Sequence, residues 1–208
     1  MKAHGPLPLF PLRTVLFPGA VLGLKVFEAR YLDLVTDCMR TQQPFGVVCL
    51  KAGSEAAVQP GQQVVTVEDV GVLAHIEEVD AEQPGILRLR CLGGRRFRIE
   101  RAPEQQGNGL WVAPRVKLLA DDTPRAPGPA VLQTVTALAE AIKKLKADER
   151  CPFAEPFRLD DAGWVANRWC ELLPVPLAAK QKLMELDDPT IRLSIVDGYL
   201  RDKKVVFG

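Results

Sequence analysis

Nucleophilic chemistry has little to draw on in this chain: 208 residues hold two serines, two histidines and five cysteines. A serine nucleophile needs a base within hydrogen-bond reach. Ser54 lies in the polar loop "KAGSEAAVQPGQQ", three residues after Lys51, and reads as a loop serine. Ser194 falls inside a predicted helix, where its role is structural. His4 is close to the amino terminus, and His75 faces the side of its strand opposite Val72, Ala74 and Ile76. Cys38, Cys49, Cys91, Cys151 and Cys170 are scattered, with no C-x-x-C pair, so neither zinc-type spacing nor a disulfide framework is present. The paired carboxylates Glu77-Glu78, Asp121-Asp122, Asp160-Asp161 and Asp187-Asp188 are sequence neighbours, which cannot converge on one substrate atom. Most of these pairs sit at a linker or a helix start and read as caps. The expectation is no catalytic residue, no cofactor and no metal.

Two groups suit binding better. Alternation in "ILRLRCL" (86–92) and "RRFRIE" (95–100) puts Leu87, Leu89, Cys91, Phe97 and Ile99 inward. Arg88, Arg90, Arg96 and Arg98 then share an outward basic face, the footprint of a nucleic-acid surface. No aromatic interleaves them to stack a base, because Phe97 points inward, so a solvated charged face competes with that reading. The second group is "CPFAEPFRLDDAGW" (151–164), which carries Phe153, Phe157 and Trp164 where a loop should be polar. These rings either close over a core or form a patch for a partner's side chains.

The elements that must hold these residues change character along the chain. Up to about residue 120 the period is two, with strands read at 45–51, 63–69, 71–79, 86–92, 95–100 and 110–119. Gly93-Gly94 is read as a tight reversal between two of them. One helix interrupts, with Tyr31, Leu34, Val35 and Cys38 at helical spacing before Pro44. "DDTPRAPGPA" (121–130) then marks a boundary. Beyond it Val131, Val135, Leu138, Ile142 and Leu145 form a helical stripe, and helices follow at 160–174, 176–188 and 188–202. Strands followed by helices argue for an α+β fold in two subdomains, 1–122 and 123–208.

The bulk numbers are those of an ordinary folded domain: 47% hydrophobic, 25% charged and a net charge of +1, so no polyanionic partner is demanded. No apolar run approaches the length that spans a bilayer, and prolines interrupt the amino-terminal apolar stretch that could mimic a signal peptide. A cytoplasmic protein with reduced thiols and no membrane contact is the expectation.

"LPLFPLRTVLFPGAVLGLKVFEARYLDLV" (7–35) carries Phe17-Pro18-Gly19, a short strand from Leu22 to Val26, then Glu28 and Arg30. With "VGVLAHIEEVD", "LRLRCLGGRRFRI" and "LLPVPLAAKQKLMELDDPTIRLSIVDGYL" (172–200), it resembles the N-terminal, substrate-binding domain of Lon proteases in the right order over nearly the whole chain. Leu173-Pro174, Lys180-Gln181, Leu183 and Glu185 match that family's "LP…KQ-x-LLE" segment. The resemblance implies a pseudo-barrel similar to the PUA fold followed by a helical bundle. Pro8, Pro11 and Pro18 would then suit an edge or entry strand with a free N–H side. The chain reaches Gly208 with no G-x-x-x-x-G-K-[ST] phosphate loop, so the recognition part alone is expected. The implied function is non-catalytic recognition of polypeptide segments, or an adaptor for a partner protein. RNA binding through the barrel is the alternative. The sequence leaves the oligomeric state open.

Overall fold

Three prolines at the start of a domain demand an account of every missing N–H. The computed structural model describes residues 3, 4, 6–52 and 66–206. Ser54 and the first half of the strand expected at 63–69 lie outside that range. β1 (Ala3–His4) precedes β2 (Leu7–Leu12), which is an interior strand and not the edge expected from its prolines. It pairs in parallel with β4 (Phe45–Ala52) from Leu9 to Leu12, and antiparallel with β9 (Trp111–Ala113) from Leu7 to Leu9. Only Leu9 has a neighbour on both sides. Pro8 lies beside β9 alone and Pro11 beside β4 alone, so each has an open side where a missing N–H costs no ladder bond. Pro18 starts a turn instead: Ala20 N–H donates to the Phe17 carbonyl (3.0 Å) and Gly19 takes φ +74°. That is the type II pattern of proline then glycine.

Among the described residues ten strands form one sheet in the order β1-β10-β7-β6-β4-β2-β9-β8. The others are β5 (Thr66–Val67), β6 (Val70–Gln83), β7 (Ile86–Ile99), β8 (Glu104–Gln105) and β10 (Val116–Leu118). Off this path β3 (Val21–Val26) lies on β7, and β5 lies on β4. The stretch 110–119, expected as one strand, is divided into β9 and β10, which sit in different parts of the sheet. On one face Leu7, Leu9, Val48, Phe97, Ala113 and Val116 make a buried cluster.

The expected reversal at Gly93-Gly94 is absent. β7 runs straight through as a 14-residue strand, and the chain turns earlier, at Pro84-Gly85, where Gly85 takes φ +81°. What the first glycine provides is close approach. Gly93 donates to the Ala20 carbonyl (2.8 Å), and its own carbonyl accepts from Gly19 (2.7 Å). A Cβ at position 93 would overlap the Phe17 carbonyl oxygen. Gly93→Ala is therefore expected to lower stability by about 1–3 kcal/mol, read as a reduced urea midpoint; a midpoint unchanged from wild type would refute the packing account.

α1 (Ala29–Thr41) buries Tyr31, Leu34, Val35 and Cys38, the stripe read from the sequence, with Tyr31 stacked on Phe10 at 3.9 Å between ring centres. The chain divides into two compact units, Met1–Ala120 and Asp121–Gly208. The second holds α2 (Leu132–Ala147), α3 (Ala162–Leu172), α4 (Leu177–Glu185) and α5 (Pro189–Asp202). Two helix starts are capped as the sequence suggests. Asp161 Oδ1 accepts from Gly163 N–H (3.0 Å), and Asp188 Oδ1 accepts from Thr190 N–H (2.8 Å) with Pro189 in the first turn. Such caps contribute about 1 kcal/mol each. The α2 stripe turns partly polar. Thr134 is fully buried beside Leu138 and Ile142, its hydroxyl donating to Asp197 (2.6 Å) and its carbonyl accepting from Trp169 Nε1 (3.0 Å). Among the described residues no helix is long and apolar enough to cross a membrane.

Candidate functional site

The aromatic segment before α3 folds into a knot of rings. Phe153 is buried, while Phe157 and Trp164 are half-buried. Trp164 meets Phe153 edge-on at 6.3 Å and Phe157 at 6.0 Å. Two cations cover these rings. The Arg168 guanidinium lies 5.6 Å from the centres of both Phe153 and Trp164, and Lys146 Nζ lies 5.3 Å from that of Phe157. Arg168 is itself fully buried, 2.6 Å from the Glu171 carboxylate. Burial pulls its guanidinium below the usual range and pushes Glu171 up to about 7, each opposing the other through their charges. The knot's ring faces are largely taken by its own cations.

The four arginines do not share one face. Arg88 and Arg98 are exposed, and Arg90 is held by Glu77 and Glu78. Arg96 is buried, with 3% of its surface exposed and its Nη2 donating to the Ala120 carbonyl (3.3 Å). Its expected outward placement is corrected by the register. Ala74 lies opposite Gly93, but Val72 lies opposite Arg96, so β7 carries one extra residue there. An extra residue reverses the alternation, which turns Arg96 toward the face of Val72 and Phe97 toward the opposite face. Strict alternation, as read from the sequence, cannot foresee a bulge.

Nucleophiles are poorly served in this geometry. Ser194 bonds back to the Thr190 carbonyl (2.9 Å) within its helix. All five cysteines are free thiols, four of them buried. Burial pushes Cys38 up to about 11 and Cys91 and Cys170 up to about 12, far from the thiolate that attack requires. No cluster of three metal-capable side chains occurs among the described residues.

One surface of the helical unit was not foreseen. Between α4, α5 and the segment after α3 lies a groove of about 580 Å³, walled by Leu173, Val175, Leu183, Leu186, Ile195 and Tyr199. Its origin is a helix apolar on two sides. In α5, Leu193, Val196 and Leu200 are buried, while Ile191 and Ile195 stay 54% and 49% exposed. On the rim Lys182 and Glu185 pair at 3.2 Å, leaving no net charge.

Arg192 braces the end of α4, where Leu183 and Leu186 wall this groove. It is 1% exposed and donates Nε to the Leu183 carbonyl (2.9 Å), Nη1 to Asp122 Oδ2 (2.6 Å) and to Asn167 Oδ1 (3.0 Å). Its Nη2 donates to the Leu186 carbonyl and to Asp122 Oδ1 (3.3 Å). The carbonyls at and just after the end of α4 thus accept from a side chain of α5, and that of Leu183 also accepts from the Leu186 N–H (3.3 Å). Asp122, taken with its neighbour as a linker carboxylate, is the partner of this buried cation. The helical spacing of Ile195 and Tyr199 was the one available signal for the groove.

The family model for the ATP-dependent protease La (LON) substrate-binding domain matches residues 6–202. Lon protease 2 of Myxococcus xanthus is 26% identical over 96% of this chain, which spans 24% of that protein's length. The crystal structure of a Lon N-terminal domain protein from Xanthomonas campestris superposes with a TM-score of 0.71 at 34% identity, covering 93% of this chain and 98% of that one. The N-terminal domain of the Mycobacterium avium complex Lon protease shares the fold, with a TM-score of 0.61 at 18% identity over 95% and 98% of the two chains.

Proposed function

Because this chain belongs to the family of ATP-dependent protease La (LON) substrate-binding domains, we propose that it is a non-catalytic polypeptide-recognition module whose contact surface is the groove between α4 and α5. The observation that carries this reading is an apolar groove with a charge-neutral rim, which suits uncharged side chains of an extended or unfolded client. The aromatic knot of Phe153, Phe157 and Trp164 buttresses the same unit and is a secondary candidate contact. The proposal includes a sheet unit shaped as a PUA-like pseudo-barrel, a helical bundle, a division near residue 122, and a cytoplasmic setting that suits the free thiols. It gives nucleic acid no role, since Arg96 is buried and Arg90 is neutralised by its glutamates.

A flexible client must be ordered on binding, so affinity is modest, on the order of micromolar. Calorimetry with unfolded casein should show a negative heat-capacity change and little loss between low and moderate salt. Ile195→Asp places a charge in the groove at a position already half exposed, and should weaken binding at least about tenfold with an unchanged urea midpoint. Undiminished casein binding by that variant would remove the groove from the reading. Steeply salt-dependent binding of single-stranded RNA would replace the reading altogether.

A further inference from the structure

Among the described residues β3 has a strand neighbour on one side only, pairing with β7 from Val21 to Val26. The bond from Gly93 N–H to the Ala20 carbonyl sets the phase of that ladder. Bonded and non-bonded pairs alternate in an antiparallel ladder. Leu22, Leu24 and Val26 therefore bond β7, and Val21, Gly23 and Lys25 turn their amides and carbonyls to the open side. A groove of about 310 Å³ runs against this strand, with Phe10 and Leu12 from β2 and Tyr31 from α1 in its wall. Phe27, directly after β3, also lines it and is 63% exposed.

The strand's own charge is a single lysine, Lys25, while Arg90 beside Gly23 is held by Glu77 and Glu78. Lys25 is the cross-strand partner of Arg88, and Gly23 that of Arg90. Like charges set opposite each other destabilise a pair. Lys25 is exposed and has no ion pair among the described residues. An open row of backbone donors and acceptors is completed by another extended backbone, and the charge beside it by an acid.

We propose that β3 is a docking edge for an extended polypeptide segment, which joins the sheet as an added strand and places an acidic side chain beside Lys25. A second copy of this chain fits less well, since β3 carries no acidic residue to set beside Lys25. This edge belongs to the sheet unit and stands or falls separately from the helical groove.

The test is amide-resolved NMR of the full chain, titrated with a blocked peptide of alternating valine and threonine that carries one central glutamate. The signals of Val21, Gly23 and Lys25 should move while those of Ile195 and Tyr199 do not. N-methylation of alternate peptide amides should weaken binding at least about tenfold in one phase and leave the other within about twofold, a contrast that only strand pairing produces. Replacing the peptide glutamate by lysine should weaken binding about tenfold, and Lys25→Glu should restore it. Absent shifts at β3, shifts indifferent to the methylation phase, or the same shifts produced by raising protein concentration alone would each overturn the proposal.

Discussion

Arg192→Leu is expected to lower stability by about 3–5 kcal/mol, because it removes the buried cation that pairs with Asp122 and bonds two carbonyls at the end of α4. The partners are Asp122, Leu183 and Leu186, with Asn167 beside them, and Arg192 is 1% exposed. Arg192→Lys should recover little. An ammonium is a point charge, and it cannot reach four partners in the planar fork that Nε, Nη1 and Nη2 supply. Urea unfolding followed by tryptophan fluorescence measures both variants. A loss below about 1 kcal/mol for the leucine variant would mean that the network adds nothing beyond packing. The same substitution should abolish casein binding, since Leu183 and Leu186 both support Arg192 and wall the groove.

Glu171 gives the second large effect, as a dependence on pH. Burial lifts its carboxyl from an ordinary 4.5 to about 7, against the opposing pull of Arg168. The native state then holds a proton that the unfolded chain has released. Between 4.5 and 7 this group's contribution to stability therefore falls as pH rises, and it levels off above. The whole span corresponds to about 3 kcal/mol. Other carboxylates titrate in the same window, so the useful quantity is the difference between wild type and Glu171→Gln. That difference should move against wild type by about 3 kcal/mol from about pH 5 to about pH 8. A difference that does not move would mean that Glu171 titrates alike in the folded and unfolded chains.

The helices were legible because each carries its own punctuation. Asp161 and Asp188 cap, Pro189 starts a turn, and the stripe from Tyr31 to Cys38 needs no knowledge of what it packs on. The strands were legible in existence and less so in connection. Gly93-Gly94 has the composition of a turn, yet it serves the approach of the Phe17 carbonyl, a contact about seventy-five residues away in sequence. Arg96 was misplaced for a related reason: a bulge is a property of two strands, and one strand's alternation carries no mark of it. The groove hid behind a local rule too. Ile195 looks like a surplus apolar residue until Leu183 and Leu186 are set around it, and Arg192 reads as surface charge until four partners surround it. Composition indicates which residues are available for a site; only tertiary neighbours determine which of them are used.

β7 carries strands from both ends of its unit along one edge, β3 against Leu87–Leu92 and β10 against Phe97–Ile99, while its other edge is filled by β6. That arrangement gives the unit an order of assembly. The β6–β7 hairpin closes locally through Pro84-Gly85, so it can form early and alone, on the microsecond scale of hairpins. Strands β3 and β10 then have a template. β2 comes after them, because it rests on β4, which β6 must place first, and Leu9 also pairs with Trp111 from the far end of the unit. Pairings this distant in sequence carry a large loop-closure entropy and are slow to form. On a ribosome β2 emerges before all its partners and would be among the last strands to find its place.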